Sequence, residues 1–135
     1  MSGGTDLAAL LAGMTPRLRP GRYVFASVPD GAAAGAGAVP PQAVVSVAED
    51  EGTTVVVPAE AAEGLDAEYP CAWITLEVRS SLAAVGLLAA VCSRLAEAGI
   101  SVNPVSGFHH DHLFVPWDRR HDAVAVLERL AADGA

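Results

Sequence analysis

The densest group of chemically active side chains in the sequence is the run His109, His110, Asp111 and His112. Imidazole and carboxylate groups bind zinc, so a metal-dependent hydrolase that uses His110 and His112 is one interpretation of this run. If the run forms a strand, these two histidines share one face and Asp111 points to the other, because successive side chains alternate. At most two imidazoles then converge, whereas a catalytic zinc ion needs about three protein ligands. We therefore predict no metal site here and expect hydrogen bonding or ligand contact instead.

A second candidate site begins at Ser80 and Ser81, two hydroxyl residues in front of an apolar run with helical spacing. We expect them to cap a helix over residues 82–98, whose first N–H groups lack partners within the helix and attract a carboxylate. An ammonium group opposite would find acceptors at Asn103 and Asp111. Capping without any ligand is the alternative for the two serines. The predicted ligand-binding residues are Ser80, Ser81, Leu82, Val85, Gly86, Asn103, Gly107, His110, Asp111 and His112.

Familiar catalytic and cofactor motifs do not occur in the sequence. It contains no GxSxG nucleophile motif and neither of the phosphate-binding motifs GxGxxG and GxxxxGK[ST]. The two cysteines, Cys71 and Cys92, lie among apolar neighbours without CxxC spacing and are predicted to be buried thiols. We therefore expect a protein without a cofactor and without enzymatic activity.

Composition and charge exclude several classes of protein. The chain has 135 residues with 16 acidic and 8 basic side chains, all of the latter arginines, and a formal net charge of −8. This excess of negative charge argues against nucleic-acid binding. A hydrophobic share of 52% fits one compact domain or two small modules. The longest apolar stretch, residues 82–92, is shorter than the ~18 residues of a membrane span, and no signal-peptide pattern begins the chain. We expect a cytoplasmic protein that does not contact membranes.

Turn residues at positions 64–70 separate two halves, which we predict to be modules of residues 1–68 and 69–135. In the first half, alternation places Val24, Ala26 and Val28 on the buried face of a strand. The predicted elements of this half are, in order, a helix (residues 7–14), a strand (22–28), a surface loop (30–41), a hairpin (43–48 and 53–57) and a short helix (59–65).

The second half has the element order of a known fold. It is predicted to contain a strand (residues 73–79), a helix (82–98), two strands (100–106 and 110–116) and a last helix capped by Asp118. This β-α-β-β-α order indicates the ferredoxin-like α+β fold, with helices on one face of a mostly antiparallel sheet. The complete βαββαβ unit needs a fourth strand, from the first half or from another chain. We expect residues 22–28 to supply it, so that two degenerate modules in tandem share sheet edges.

The sequence contains five ordered and well-separated motifs: residues 14–18 (MTPRL), 20–25 (PGRYVF), 51–56 (EGTTVV), 80–87 (SSLAAVGL) and 110–116 (HDHLFVP). Together they resemble the small tandem ACT-domain proteins of bacteria and fungi, over nearly the whole chain. The resemblance implies two ACT-type modules of ferredoxin-like fold, an association with amino-acid sensing, and dimer formation. It does not name a ligand.

The resemblance and the residues together predict a non-enzymatic regulatory protein that binds a small ligand, an amino acid, at a module or subunit interface. We also expect a homodimer, because the helix-free face of the sheet would otherwise expose an apolar patch of Tyr23, Phe25, Trp73 and Phe114. Two alternatives stay open at this point: an interaction module without a ligand, and the metal-dependent hydrolase considered above.

Overall fold

The structure, a computed structural model, describes residues 4–29 and 39–134. Residues 30–38, most of the predicted surface loop, lie outside this range. Short 3-10 helices occur at Ala59–Ala62 and Trp117–Arg119. The remaining elements are, in chain order, α1 (Leu7–Gly13), β1 (Thr15–Leu18), β2 (Tyr23–Pro29), β3 (Val45–Glu49), β4 (Gly52–Pro58), β5 (Asp66–Glu77), α2 (Leu87–Glu97), β6 (Asn103–Ser106), β7 (Asp111–Pro116) and α3 (Arg120–Asp133).

The chain forms two compact units, which differ from the predicted modules 1–68 and 69–135. Unit 1 combines Met1–Pro20 with Ala72–Ala135, and unit 2 consists of Gly21–Cys71. The difference lies in the first 20 residues, because β1 pairs with the second half of β5. β5 is a 12-residue strand that contributes residues 66–71 to unit 2 and 72–77 to unit 1.

Unit 2 contains a four-stranded sheet in the order β3-β4-β2-β5, with each neighbouring pair antiparallel. The hairpin between β3 and β4 has a two-residue loop, since Glu49 pairs directly with Gly52. Gly52 has a φ of +149°, a conformation that favours glycine, as predicted for this turn. The predicted alternation of β2 is confirmed: Val24, Ala26 and Val28 pack in the core of this unit.

Unit 1 contains a four-stranded sheet in the order β1-β5-β7-β6. Alternate strand residues, among them Ile74, Leu76, Leu113 and Val115, pack against α1, α2 and α3 in one core. All three helices therefore lie on one face of the sheet. The sequence β5-α2-β6-β7-α3, completed by β1 as the fourth strand, confirms the ferredoxin-like α+β fold. The helix residues in this core are Leu10, Leu11, Leu87, Val91, Leu95, Ala123, Leu127 and Leu130.

The fourth strand of unit 1 was assigned wrongly from the sequence. It is β1, with Thr15 paired to Glu77 and Leu18 paired to Ile74, and it does come from the first half of the chain. Residues 22–28 pair instead with residues 66–71 of β5, within unit 2. β1 escaped prediction because it has four residues and includes Pro16, which is tolerated at a sheet edge.

The predicted start of the second helix is also wrong. α2 begins at Leu87, five residues after Leu82, with Gly86 as its N-cap residue. Ser81 forms a local turn instead: its Oγ accepts a hydrogen bond of 3.0 Å from the Ala83 N–H. Gly86 has a φ of +106°, which interrupts the helical geometry between the serines and α2. The predicted end at Gly99 is confirmed, since Gly99 has a φ of +73° just after the helix.

Asp118 does not cap the last helix as predicted. It lies within the 3-10 helix Trp117–Arg119, and α3 begins at Arg120 with Arg119 as its N-cap residue. Within the described part of the chain, no helix has the length and apolar character needed to cross a membrane.

The apolar patch expected on the helix-free sheet face is not present as predicted. Phe114 is fully buried, and its ring stacks on that of Trp73 with centroids 6.3 Å apart. Trp73, Tyr23 and Phe25 are half-buried. The homodimer stays a prediction, but this patch no longer supports it.

Candidate functional site

A pocket of about 220 Å³ lies in unit 1 at the N-terminus of α2, and we call it the α2 pocket. Its wall combines the segment after β5, the first turn of α2 and the turn between β6 and β7. The lining residues are Ser80, Ser81, Leu82, Ala84, Gly86, Leu87, Leu88, Ala89, Ser106, Gly107 and Asp111.

Backbone hydrogen bonds to Gly4 hold the serine segment in place. The Gly4 N–H donates to the carbonyl oxygen of Arg79 at 2.8 Å, and the Ser81 N–H donates to the carbonyl oxygen of Gly4 at 2.9 Å. Gly4 and Ser80 thus form a parallel bridge next to the end of β5. These contacts fix the serine wall of the pocket although it has no regular secondary structure of its own.

The first turn of α2 presents unpaired N–H groups to the pocket. Ala90 is the first residue of α2 whose N–H forms the regular helical hydrogen bond: it donates to the carbonyl oxygen of Gly86 at 2.9 Å. The N–H groups of Leu87, Leu88 and Ala89 precede it and have no partner within the helix. Gly86 provides no side-chain cap for them. These three residues line the pocket, so it receives the positive end of the helix dipole.

Asp111 supplies the negative charge of the pocket. It is the first residue of β7, on the same face of the strand as Leu113 and Val115, and is 8% exposed. Among residues 4–29 and 39–134, no hydrogen bond or ion pair to its carboxylate is present. No fully buried side-chain oxygen among the described residues lacks a hydrogen-bond partner, so the carboxylate of Asp111 reaches the open space of the pocket, where a cationic group can pair with it.

The turn between β6 and β7 places Asp111. Ser106 pairs with Asp111 across the two strands, and the Gly107 N–H donates to the carbonyl oxygen of His110 at 2.8 Å. A Cβ atom at Gly107 would lie 2.9 Å from that same oxygen, so this tight turn requires glycine.

The structure brings together six of the predicted ligand-binding residues and separates the other four. Val85 is 85% exposed, and Asn103 is exposed on β6. These two residues, together with His110 and His112, do not line the pocket. Those that do line it are Ser80, Ser81, Leu82, Gly86, Gly107 and Asp111.

Sequence reasoning missed the residues that carry the free N–H groups, Leu87, Leu88 and Ala89. The signal that locates them is Gly86, because glycine before an apolar helical stripe favours a break and a new start of the helix. Ser106 was missed as well; it was assigned as the last residue of the strand predicted over residues 100–106.

His112 lies on the opposite face of the sheet from Asp111, in a polar network with β5. Its Nδ1 accepts a hydrogen bond of 3.0 Å from the Trp73 Nε1–H and lies 3.1 Å from the Thr75 hydroxyl. Arg19 donates to that hydroxyl at 3.1 Å, and its guanidinium carbon lies 4.1 Å from the centroid of the Trp73 ring. The acceptor role of Nδ1 fixes the neutral imidazole with its proton on Nε2.

Electrostatics favour the same neutral form of His112. Burial lowers its pKa, and the neighbouring His110 and Arg19 lower it further, while the carboxylate of Asp111 opposes the change. The two cysteines have raised thiol pKa values. For Cys92 on α2, burial raises the pKa of the thiol, and the nearby carboxylate of Asp111 raises it further. For Cys71, burial raises the pKa to about 12, and the thiol donates a hydrogen bond to the carbonyl oxygen of Tyr23. Neither thiol is activated as a nucleophile.

No metal centre is formed in the part of the chain that the structure describes. There, no group of three or more His, Cys, Asp or Glu side chains is placed to hold an ion. His112 is one of the two histidines considered for zinc, and its Nδ1 already accepts a hydrogen bond from Trp73.

Two models of ACT domains match the sequence, one over residues 2–72 and the other over residues 68–129. The chain therefore belongs to the ACT domain family, and its two ACT-type domains stand in tandem. This membership, with the fold of both units, supports a regulatory, ligand-binding role.

Solved structures show the same fold. A Vibrio cholerae protein of unknown function, described as a possible transport protein, is 39% identical with a TM-score of 0.80, covering 93% of this chain and 95% of its own. An Agrobacterium tumefaciens protein is 21% identical with a TM-score of 0.69, over 87% of this chain and 89% of its own. The regulatory subunit of aspartate kinase from Thermus thermophilus is 12% identical with a TM-score of 0.60, over 85% and 95%. No curated protein matches the sequence.

Proposed function

We propose that this chain is a non-enzymatic regulatory protein that binds an amino acid in the α2 pocket. The observation that carries the proposal is the meeting of two opposite charges in one small cavity. The unpaired N–H groups of Leu87, Leu88 and Ala89 form one side, and the unpaired carboxylate of Asp111 forms the other.

An α-amino acid has the matching pair of charges. Its carboxylate would accept hydrogen bonds from the free N–H groups at the start of α2, where the helix dipole favours an anion. Its ammonium group would pair with the carboxylate of Asp111 in a charge-assisted hydrogen bond. A simple anion would leave Asp111 unpaired, and at a net charge of −8 the protein repels anions at long range.

Family membership supports the regulatory part of the proposal. The chain has ACT-type domains over nearly its whole length, and among the structures of similar fold is a regulatory subunit of aspartate kinase.

Thermal-shift measurements with the twenty amino acids test the proposal. A ligand present at 100 times its Kd raises the free energy of unfolding by about 2.7 kcal/mol, which is a measurable increase in melting temperature. Asp111→Asn should weaken the binding of the active amino acid by about 10- to 100-fold, because a charge-assisted hydrogen bond is lost.

Asp118→Asn is the matched control, since it makes the same change of charge at an exposed residue that does not line the pocket. It should leave the affinity unchanged. If no amino acid stabilises the wild-type protein at millimolar concentration, the proposal is wrong.

The second candidate function is an interaction module without a ligand. One observation favours it: Leu82, Val85 and Phe108 are 68%, 85% and 79% exposed, and each lies in or next to a segment that lines the pocket. Exposed apolar side chains of this size are typical of surfaces that bind another protein. Failure of every amino acid to bind would favour this function.

A further inference from the structure

We infer that the α2 pocket selects amino acids whose side chains carry no charge. The inference rests on the proposed function and concerns the part of the ligand beyond its α-carboxylate and α-ammonium groups. It follows from which of the side chains that line the pocket carry a charge.

Asp111 is the single ionisable side chain among the described residues that line the pocket. The wall otherwise offers three serine hydroxyls and the surfaces of leucine, alanine and glycine residues. The α-ammonium group neutralises Asp111, and the α-carboxylate occupies the free N–H groups of α2. No charged partner is then left in the wall for a third charge on the ligand.

A short acidic side chain is the least favourable case. Its carboxylate would lie inside the pocket with Asp111, where two like charges repel and the desolvated charge has no counter-ion. A second cation on the ligand would have to share Asp111 with the α-ammonium group. An amide, hydroxyl or alkyl side chain has neither problem, since the hydroxyls of Ser80 and Ser106 can pair with polar atoms and Leu88 can pack against apolar ones.

Size limits the ligand as well. The volume of about 220 Å³ is below the roughly 300–1,000 Å³ that is typical of pockets for drug-sized ligands. The pocket therefore suits a ligand of the size of an amino acid.

Asparagine and aspartate provide a matched pair of probes, because they have nearly the same shape and differ in charge. In the thermal-shift panel, the largest increases in melting temperature should come from amino acids with uncharged side chains. Asparagine should stabilise the wild-type protein more than aspartate does at equal concentration, and equal stabilisation would contradict selection by charge.

A variant with an added cation sharpens the test. Ser106→Arg places a guanidinium at the exposed edge of the pocket and should strengthen aspartate binding relative to asparagine by about tenfold. Ser46→Arg is the control, since it adds the same charge at an exposed residue of β3 that does not line the pocket, and it should not change this ratio.

The possible failures are distinct. If an acidic or basic amino acid gives the largest stabilisation of the wild-type protein, or if Ser106→Arg leaves the ratio unchanged, selection by charge is overturned while amino-acid binding stands. If no amino acid binds the wild-type protein, the proposed function itself falls.

Discussion

At the scale of single residues, His112 is expected to make folding stability depend on pH. Its pKa lies below the ordinary value of 6.5 in the folded protein, mainly because of burial. As the pH falls, the unfolded chain therefore binds the proton first, and stability declines. The contribution of neutral His112 is complete above pH 6.5 and is lost as the pH falls through the lower, folded-state pKa.

His112→Asn isolates this contribution, because the amide oxygen can still accept the hydrogen bond from Trp73 but does not titrate. Between about pH 7 and about pH 5, the wild-type protein should lose more stability than the variant, as measured by denaturant midpoints. His121→Asn removes an exposed histidine and should behave like wild type. Equal losses for wild type and His112→Asn would show that His112 does not contribute.

The residues of the α2 pocket show what side-chain chemistry can predict. Asp111 and the pair Ser80 and Ser81 were identified from residue type and position, because a carboxylate and hydroxyls beside a helix start suit a zwitterionic ligand. His110 and His112 were grouped with Asp111 because they are adjacent in sequence. The pleat of β7 separates His112 from the pocket, and the sequence cannot decide which face of a strand will line a cavity.

At the scale of elements, Gly86 fixes where α2 begins. It has a φ of +106°, and a Cβ atom there would lie 3.1 Å from Cδ2 of Leu7 on α1. Gly86→Ala should therefore lower the free energy of unfolding by about 1–3 kcal/mol, from backbone strain and this close contact. Denaturant unfolding measures the change.

Gly134→Ala is a suitable control, since Gly134 also has a positive φ, +66°, but a Cβ atom there meets nothing within 4 Å. It should cost less than Gly86→Ala. A loss for Gly86→Ala no greater than that of the control would contradict the role assigned to the contact with Leu7.

Elements with a strong pattern of apolar residues could be predicted from the sequence, and elements with a weak pattern could not. β2 was found because its side chains alternate, and the hairpin of β3 and β4 was found because two valine-rich runs flank the turn at Gly52. β1 has four residues with a proline among them, so it carries too little local signal, and its strand conformation is stabilised by pairing with β5. Helix starts were missed for a different reason: a 3-10 helix precedes α3, and the turn at Ser81 precedes α2, in positions that resemble caps.

At the scale of the whole molecule, unit 1 depends on the first residues of the chain. A fragment of residues 72–135 lacks β1 and α1, so one edge of β5 and part of the helical core lose their partners. We expect this fragment to be largely unfolded, with poor dispersion of its NMR spectrum.

A permuted fragment restores the missing parts. It would join residue 134 to residue 4 through a flexible linker and end at residue 20, so that β1 and α1 follow α3 in the chain. We expect a dispersed spectrum and cooperative unfolding for this fragment. A well-folded monomer formed by residues 72–135 alone would refute the dependence on β1.

The pairing of β1 with β5 also has a consequence for the order in which the protein is synthesised and folds. Arg17 on β1 forms an ion pair of 3.3 Å with Glu77, sixty residues further along the chain. During translation, β1 emerges well before β5 and has no partner until β5 has been made. Contacts between such distant residues also slow refolding, because the entropy of closing a long loop is lost before the contacts form. Unit 2 lies between the two parts of unit 1 along the chain, so all its residues are translated before unit 1 is complete.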